Sequence, residues 1–136
     1  MKILVGYDGS EEAGRALDWA ATLARGVDGS TVTVISIAPT LEAAPPIADA
    51  VDPTSTVETH RRQAEAAAER LSRAGVKAEV VVRAGNPAEE ILNTVEDGYD
   101  VAIIGHKGIS AVRRFLMGSV SERVVRHASR PVLVIP

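Results

Sequence analysis

Five short apolar runs, separated by stretches with helical spacing, constrain this chain more than any other feature. They are Lys2-Ile3-Leu4-Val5-Gly6-Tyr7, TVTVISIA at 31–38, VKAEVVVRA at 76–84, DVAII at 100–104 and Pro131-Val132-Leu133-Val134-Ile135. Apolar side chains on consecutive positions read as buried strands, while Lys77, Glu79 and Arg83 in the third run suggest a half-exposed position near a sheet edge. The order is strand, helix, strand, four times over. It predicts an α/β fold: an open five-stranded parallel sheet with helices on both faces and right-handed crossovers. No internal repeat is visible, and 136 residues fit one domain over 1–136.

The helices carry their own punctuation. Ser10 is an N-cap, followed by Glu11 and Glu12 in the acidic first turn, with an apolar stripe from Ala13 to Ala24. A second helix is expected over 56–74, stopped by Gly75. Asn86, Pro87 and Glu89 start a third, which Gly98 ends. A fourth is expected over 120–128. Residues 39–53 form a long alanine- and proline-rich connection, of the kind that serves as a lid, a binding loop or a disordered insert.

Composition removes several function classes. Aromatics are 3% of the chain, so the core must be Val, Ile, Leu and Ala. The net charge is -3 and no basic block exceeds two residues, which argues against nucleic acid as a partner. Without cysteine there is no disulfide framework, zinc-thiolate site or redox thiol. The apolar run after Met1-Lys2 is too short for a signal peptide or a membrane span, so the expectation is a soluble cytoplasmic protein without membrane contact.

The chemistry lies in the last quarter. After the fourth strand comes Gly105-x2-Gly108-x9-Gly118-Ser119, leading into a helix. Glycines let backbone approach a ligand closely, and free N–H groups at a helix N-terminus bind anions. The Ser119 hydroxyl and the N–H groups of Ser119, Val120 and Ser121 can take phosphate oxygens. The bland alternative is that Ser119-x-x-Glu122 is a capping box with Gly118 as a turn residue. In such a sheet a ligand sits past the C-terminal strand ends, where the strand order reverses.

This motif resembles the ATP-binding motif of the universal stress protein family. Ile3-Leu4-Val5-Gly6-Tyr7-Asp8-Gly9-Ser10 resembles the family's opening strand and nucleotide-binding aspartate loop. Gly118-Ser119-Val120-Ser121-Glu122 is similar to the start of its last helix, and Pro131-Val132-Leu133-Val134-Ile135 to its final strand. The resemblance implies a Rossmann-like, adenine nucleotide alpha hydrolase-like domain with strand order 3-2-1-4-5. It implies ATP as ligand, with Mg2+ held by the phosphates, and a homodimer paired through the strand from Pro131 to Ile135. It also implies that Asp8 contacts the nucleotide or its metal.

Alternatives stay open for single residues. The alternative for Asp8 is a turn aspartate bonded to its own backbone. Gly6 either lets the ligand lie on the first strand or is a packing glycine, and Gly9 and Ser10 complete that loop. Ile37, in Ile35-Ser36-Ile37-Ala38, is expected to wall the adenine, or is only buried strand. Arg113 and Arg114 lie in the motif spacer, where one can reach a phosphate or both can be surface arginines. His106 is read as a loop residue contributing backbone, and His60 has no ligand partner at metal spacing. Arg123, Arg126, His127 and Arg130 are read as structural cations near a helix C-terminus.

Gly-x4-Gly-Lys-Ser/Thr and Gly-x-Ser-x-Gly are absent, and nothing in the sequence is a convincing base for activating water. The favoured expectation is therefore an ATP-binding regulator of a stress response, with at most slow hydrolysis. A slow ATPase or nucleotidyl-transfer enzyme on the same fold, and a structural dimer that has lost its ligand, are the alternatives.

Overall fold

The computed structural model describes residues 1–40, 57–107 and 117–136. The segments 41–56 and 108–116 lie outside the described residues. So do Gly108, Arg113, Arg114 and most of the long connection expected at 39–53.

Chain order is β1 (Lys2–Gly6), α1 (Glu11–Gly26), β2 (Thr31–Ala38), α2 (Val57–Arg73), β3 (Ala78–Ala84), α3 (Pro87–Glu96), β4 (Val101–Gly105), α4 (Ser119–His127) and β5 (Val132–Ile135). The sheet order is β3-β2-β1-β4-β5. Every neighbouring pair is parallel, with Leu4 opposite Thr33 and Ala102, Ile35 opposite Val81, and Ile103 opposite Leu133. The open parallel sheet in order 3-2-1-4-5 is thus the observed architecture.

Strand alternation sends successive side chains to two cores. Ile3, Val5, Val32, Val34 and Ile103 face α1 and α2. Leu4, Ile35, Ile37, Ala102 and Ile104 face α3 and α4. Alanines at 13, 16, 20, 21 and 24 line the buried stripe of α1, so this helix lies close on the sheet. Leu17 and Leu71 fill the larger gaps between α1, α2 and the strands. Each such buried leucine contributes about 1.5–3 kcal/mol.

Local signals set most element ends. The Ser10 hydroxyl accepts from the Ala13 N–H at 3.2 Å. The Asn86 side chain does the same for the Glu89 N–H at 3.2 Å, and Pro87 stands at the first helical turn. Several boundaries move by one residue, and the start of β3 moves by two: it begins at Ala78, not at 76. The end of α2 takes those residues. Gly75 adopts φ +78, its N–H donates to the Ser72 carbonyl, and the Val76 N–H reaches back to the Leu71 carbonyl at 3.0 Å. This is the Schellman closure, with Val76 as its buried apolar contact. Among the described residues no helix is long and apolar enough to cross a membrane.

Candidate functional site

β1 lies between β2 and β4, and the chain leaves it towards β2 on one side and returns at β4 on the other. The loops after β1 and β4 therefore part at their C-terminal ends, where ligands of such sheets bind. Three segments lie at that end of the sheet: the turn 7–10, the end of β4, and the start of α4.

The first turn is built by its own polar groups. The Tyr7 N–H donates to the Ile35 carbonyl at 2.9 Å, carrying the chain one step past the strand. Asp8 Oδ1 then accepts the Ser10 N–H at 3.0 Å. The turn role weighed for Asp8 is therefore realised, through one carboxylate oxygen. Gly9 turns with φ +82 beside Gln63 of α2.

The end of β4 is tied to α4 and to α1. The His106 N–H donates to the Ile135 carbonyl at 2.6 Å, and the His106 carbonyl accepts the Gly118 N–H at 2.9 Å. The Ser121 hydroxyl also donates to that carbonyl, at 2.7 Å, with the Gly118 carbonyl 3.0 Å away. His106 thus contributes backbone to this junction. A Cβ on Gly105 would lie 2.8 Å from Glu12 Cβ and 3.1 Å from the Glu12 carbonyl carbon. The first turn of α1 fills the space beside Gly105, so the packing of α1 accounts for this glycine without a ligand. Gly6 is similar, because a Cβ there would press on Ile104 Cγ2 at 3.2 Å.

The capping-box alternative for Ser119 is not what forms. Gly118 is the N-cap, without a side-chain cap bond, and the Glu122 N–H closes the first turn on the Gly118 carbonyl at 2.9 Å. The Glu122 carboxylate instead pairs with Arg126 at 2.9 Å. Ser119, Val120 and Ser121 occupy the first helical turn, whose N–H groups have no acceptor within the helix. Ser119 is exposed and Val120 half-buried. Ser121 is buried, its hydroxyl turned to the protein. Arg123 pairs with Glu89 of α3 at 2.7 Å, in keeping with its structural reading. Ile37 is buried in the core under α3 and α4, one residue short of the end of β2.

Sequence reasoning missed one pair. Ser36, fully buried in β2, and His60, buried on α2, share a hydrogen bond between Oγ and Nδ1 at 3.0 Å. Burial pushes the His60 imidazole below its ordinary 6.5, and the negative charge of Asp8 pulls it partly back. The signal was present: Ser36 interrupts an apolar run, and His60 shares a helical stripe with Ala64, Ala67 and Leu71. A polar group on each of two buried faces needs a partner, and each can be the other's. Among the described residues no group of three or more His, Cys, Asp or Glu is placed to hold a metal.

The sequence model of the universal stress protein family matches residues 1–136. Universal stress protein YxiE of Bacillus subtilis is 30% identical over 145 residues, covering 98% of this chain and 97% of that protein. The structure of protein MJ0577, a universal stress protein of Methanocaldococcus jannaschii, superposes with a TM-score of 0.82 at 28% identity, covering 98% of this chain and 94% of the other. The universal stress protein of Archaeoglobus fulgidus in complex with dAMP shares the fold, with a TM-score of 0.76 at 24% identity over 100% of this chain and 98% of its own. With the parallel sheet, the aspartate turn and the glycine-bounded start of α4 all in place, the chain belongs to the universal stress protein family.

Proposed function

We propose that this chain is a single-domain, ATP-binding universal stress protein that works in the cytoplasm as a nucleotide-dependent regulator of a stress response. One observation carries the reading. The first turn of α4 is joined to the end of β4 through the His106 carbonyl, and the Asp8 turn leaves β1, the strand beside β4, at the same end of the sheet. That leaves the N–H groups of Ser119, Val120 and Ser121 at the switch point of the sheet, where phosphates suit a helix N-terminus. Family membership supports it, as does the fold shared with the dAMP complex from Archaeoglobus fulgidus.

In this reading Asp8, Gly9 and Ser10 line one side of the nucleotide, and the end of β2 at Ile37 walls the adenine. Gly105 and Gly6 serve it indirectly, by letting α1 and Ile104 pack against the strand ends that carry the site. Gly108 and Arg114 contribute from the motif spacer. Mg2+ would be held by the phosphates, and Asp8 would contact the nucleotide or the ion. The ion supplies charge neutralisation of the phosphate chain.

The edge strand β5 pairs with the same strand of a second copy. Leu133 in it is 37% exposed, and a bare apolar edge invites such pairing. Native mass spectrometry of gently purified protein tests the whole reading. The expected species is a dimer carrying adenine nucleotide, and ATP with Mg2+ added to stripped protein should restore it. Protein that neither retains nor takes up nucleotide would overturn the assignment.

A further inference from the structure

The two outer edges of the sheet differ in chemistry. β3 carries Glu79 and Arg83, charges of the kind that keep an edge from pairing with another chain. β5 carries none: it reads Val132-Leu133-Val134-Ile135, and among the described residues β4 is its only strand neighbour. Exposed apolar side chains border this second edge from both layers of helices.

On the α1 side the residue is Trp19, the one tryptophan of the chain, 54% exposed. Its neighbours fix which way it looks. On one side of the buried stripe, Asp18 pairs with Arg70 of α2. Arg15 and Trp19, four residues apart, share the other side. Arg15 donates from Nε to the Pro136 carbonyl at 2.7 Å, just past the end of β5. The helix descends from the C-terminal ends of the strands, because Glu12 at its start packs beside Gly105 at the end of β4. Four residues of helix advance about 6 Å, or about two residues of strand. Trp19 therefore stands beside β5 near the level of Leu133 and Val134. Strand alternation puts Leu133 on the α1 face with Ile135.

On the other face the residue is Val125 of α4, 46% exposed. Arg123 holds one flank of α4 to Glu89 of α3, and Val124 is buried against the sheet. Val125 comes about 200° round the helix from Arg123, on the flank away from α3. Since α4 packs on β5, and α3 on β2 and β3, that flank looks over the free edge.

A second copy of the chain fits this edge. β5 has four residues, about 13 Å of strand, whereas a stable interface takes about 800 Å2 from each partner. The strand ladder alone falls short, and apolar side chains in both layers have to supply the rest. Antiparallel pairing of β5 with its own copy places a two-fold axis normal to the sheet. That axis keeps both α1 helices in one layer and both α4 helices in the other. It turns the Trp19 flank of each α1 towards its counterpart, over the joined strands.

We propose that Trp19 anchors a contact between two copies of this chain, packing with Leu133 over the paired β5 strands while Val125 closes the opposite face. The inference rests on the reading that β5 pairs with its own copy, and it adds the side chains that make such a short pairing stable. A tryptophan at a desolvated centre is the residue type that dominates interfaces of this kind.

Because Trp19 is the only tryptophan, its emission reports on the contact without a label. Sedimentation and acrylamide quenching of the whole chain at the same concentrations test it. In the wild-type dimer Trp19 should be shielded several-fold from acrylamide relative to free tryptophan. Trp19→Ala should keep the wild-type circular dichroism and dissociate at concentrations about tenfold higher or more. Trp19→Phe should recover most of that loss, and Val57→Ser, at an exposed apolar position on α2, should leave dissociation unchanged. A dimer whose Trp19 is as open to acrylamide as free tryptophan, or equal dissociation of wild type and Trp19→Ala, overturns this inference alone. A wild type that is monomeric at every concentration overturns the β5 pairing and this inference together.

Discussion

The hydroxyl of Ser121 donates to the carbonyl of His106 at 2.7 Å, joining the first turn of α4 to the end of β4 across 15 residues of chain. The same carbonyl accepts the Gly118 N–H at 2.9 Å. This double acceptor fixes where α4 begins, and so where its free N–H groups stand. Ser121→Ala removes one of the two bonds from a buried site. We expect a loss of about 1 kcal/mol in urea denaturation, with weaker ATP binding in calorimetry. Unchanged stability would mean that the Gly118 bond alone holds the junction.

Gly105 and Gly108 should fail differently. A side chain at 105 meets the backbone of α1 at 3.1 Å. Gly105→Val should therefore cost about 1–3 kcal/mol without any nucleotide present, read as a lower thermal midpoint. Gly108→Val is expected to abolish ATP binding and leave the fold intact. Unchanged affinity in a folded Gly108→Val protein would sink the phosphate assignment of the motif.

Asp8 has a turn role in the structure and a ligand role in the proposal, and two variants separate them. Asp8→Asn keeps an oxygen for the Ser10 N–H, now 3.0 Å from Oδ1, but removes the charge. It should retain near wild-type stability and bind ATP with Mg2+ more weakly. Asp8→Ala loses both, and should also be less stable by about 1 kcal/mol. Equal ATP affinity in wild type and Asp8→Asn would return this residue to the turn alone.

Stability should depend on pH through His60. Its folded-state pKa lies below 6.5, so the unfolded chain binds the proton more readily. Stability then rises with pH in this window. The contribution is present above 6.5 and is lost as pH falls towards the depressed folded value, below which it levels off. Urea midpoints of wild type should drop more than those of His60→Gln over this range, in the absence of nucleotide. Parallel curves would show that His60 is not the group responsible.

The edge strand sets the assembly prediction. Leu133 is 37% exposed, whereas Ile135 is 4% exposed and belongs to the core under α1 and α2. Leu133→Arg should dissociate the proposed dimer with little loss of fold, while Ile135→Arg should unfold the chain. Sedimentation of wild type at micromolar concentration comes first; a monomer there removes the dimer.

What the sequence determined by itself was local. The five apolar runs, the caps at Ser10 and Asn86 and the stops at Gly75 and Gly98 all act within a few residues, and each appears in the fold. The glycine-bounded motif marked which strand end to examine, because glycine and a helix start leave a pattern in adjacent letters. The tertiary structure decided what depends on residues far apart. Gly105 is glycine because Glu12 and Ala13 crowd it from α1, and no short spacing records that. Gly118 caps α4 in place of Ser119 because the His106 carbonyl anchors both the Gly118 N–H and the Ser121 hydroxyl. Ser36 and His60 look like isolated polar residues until β2 and α2 pack and bring Oγ and Nδ1 to 3.0 Å. A chain of apolar runs fixes which faces must be buried, but only their packing fixes which polar groups those faces bring together.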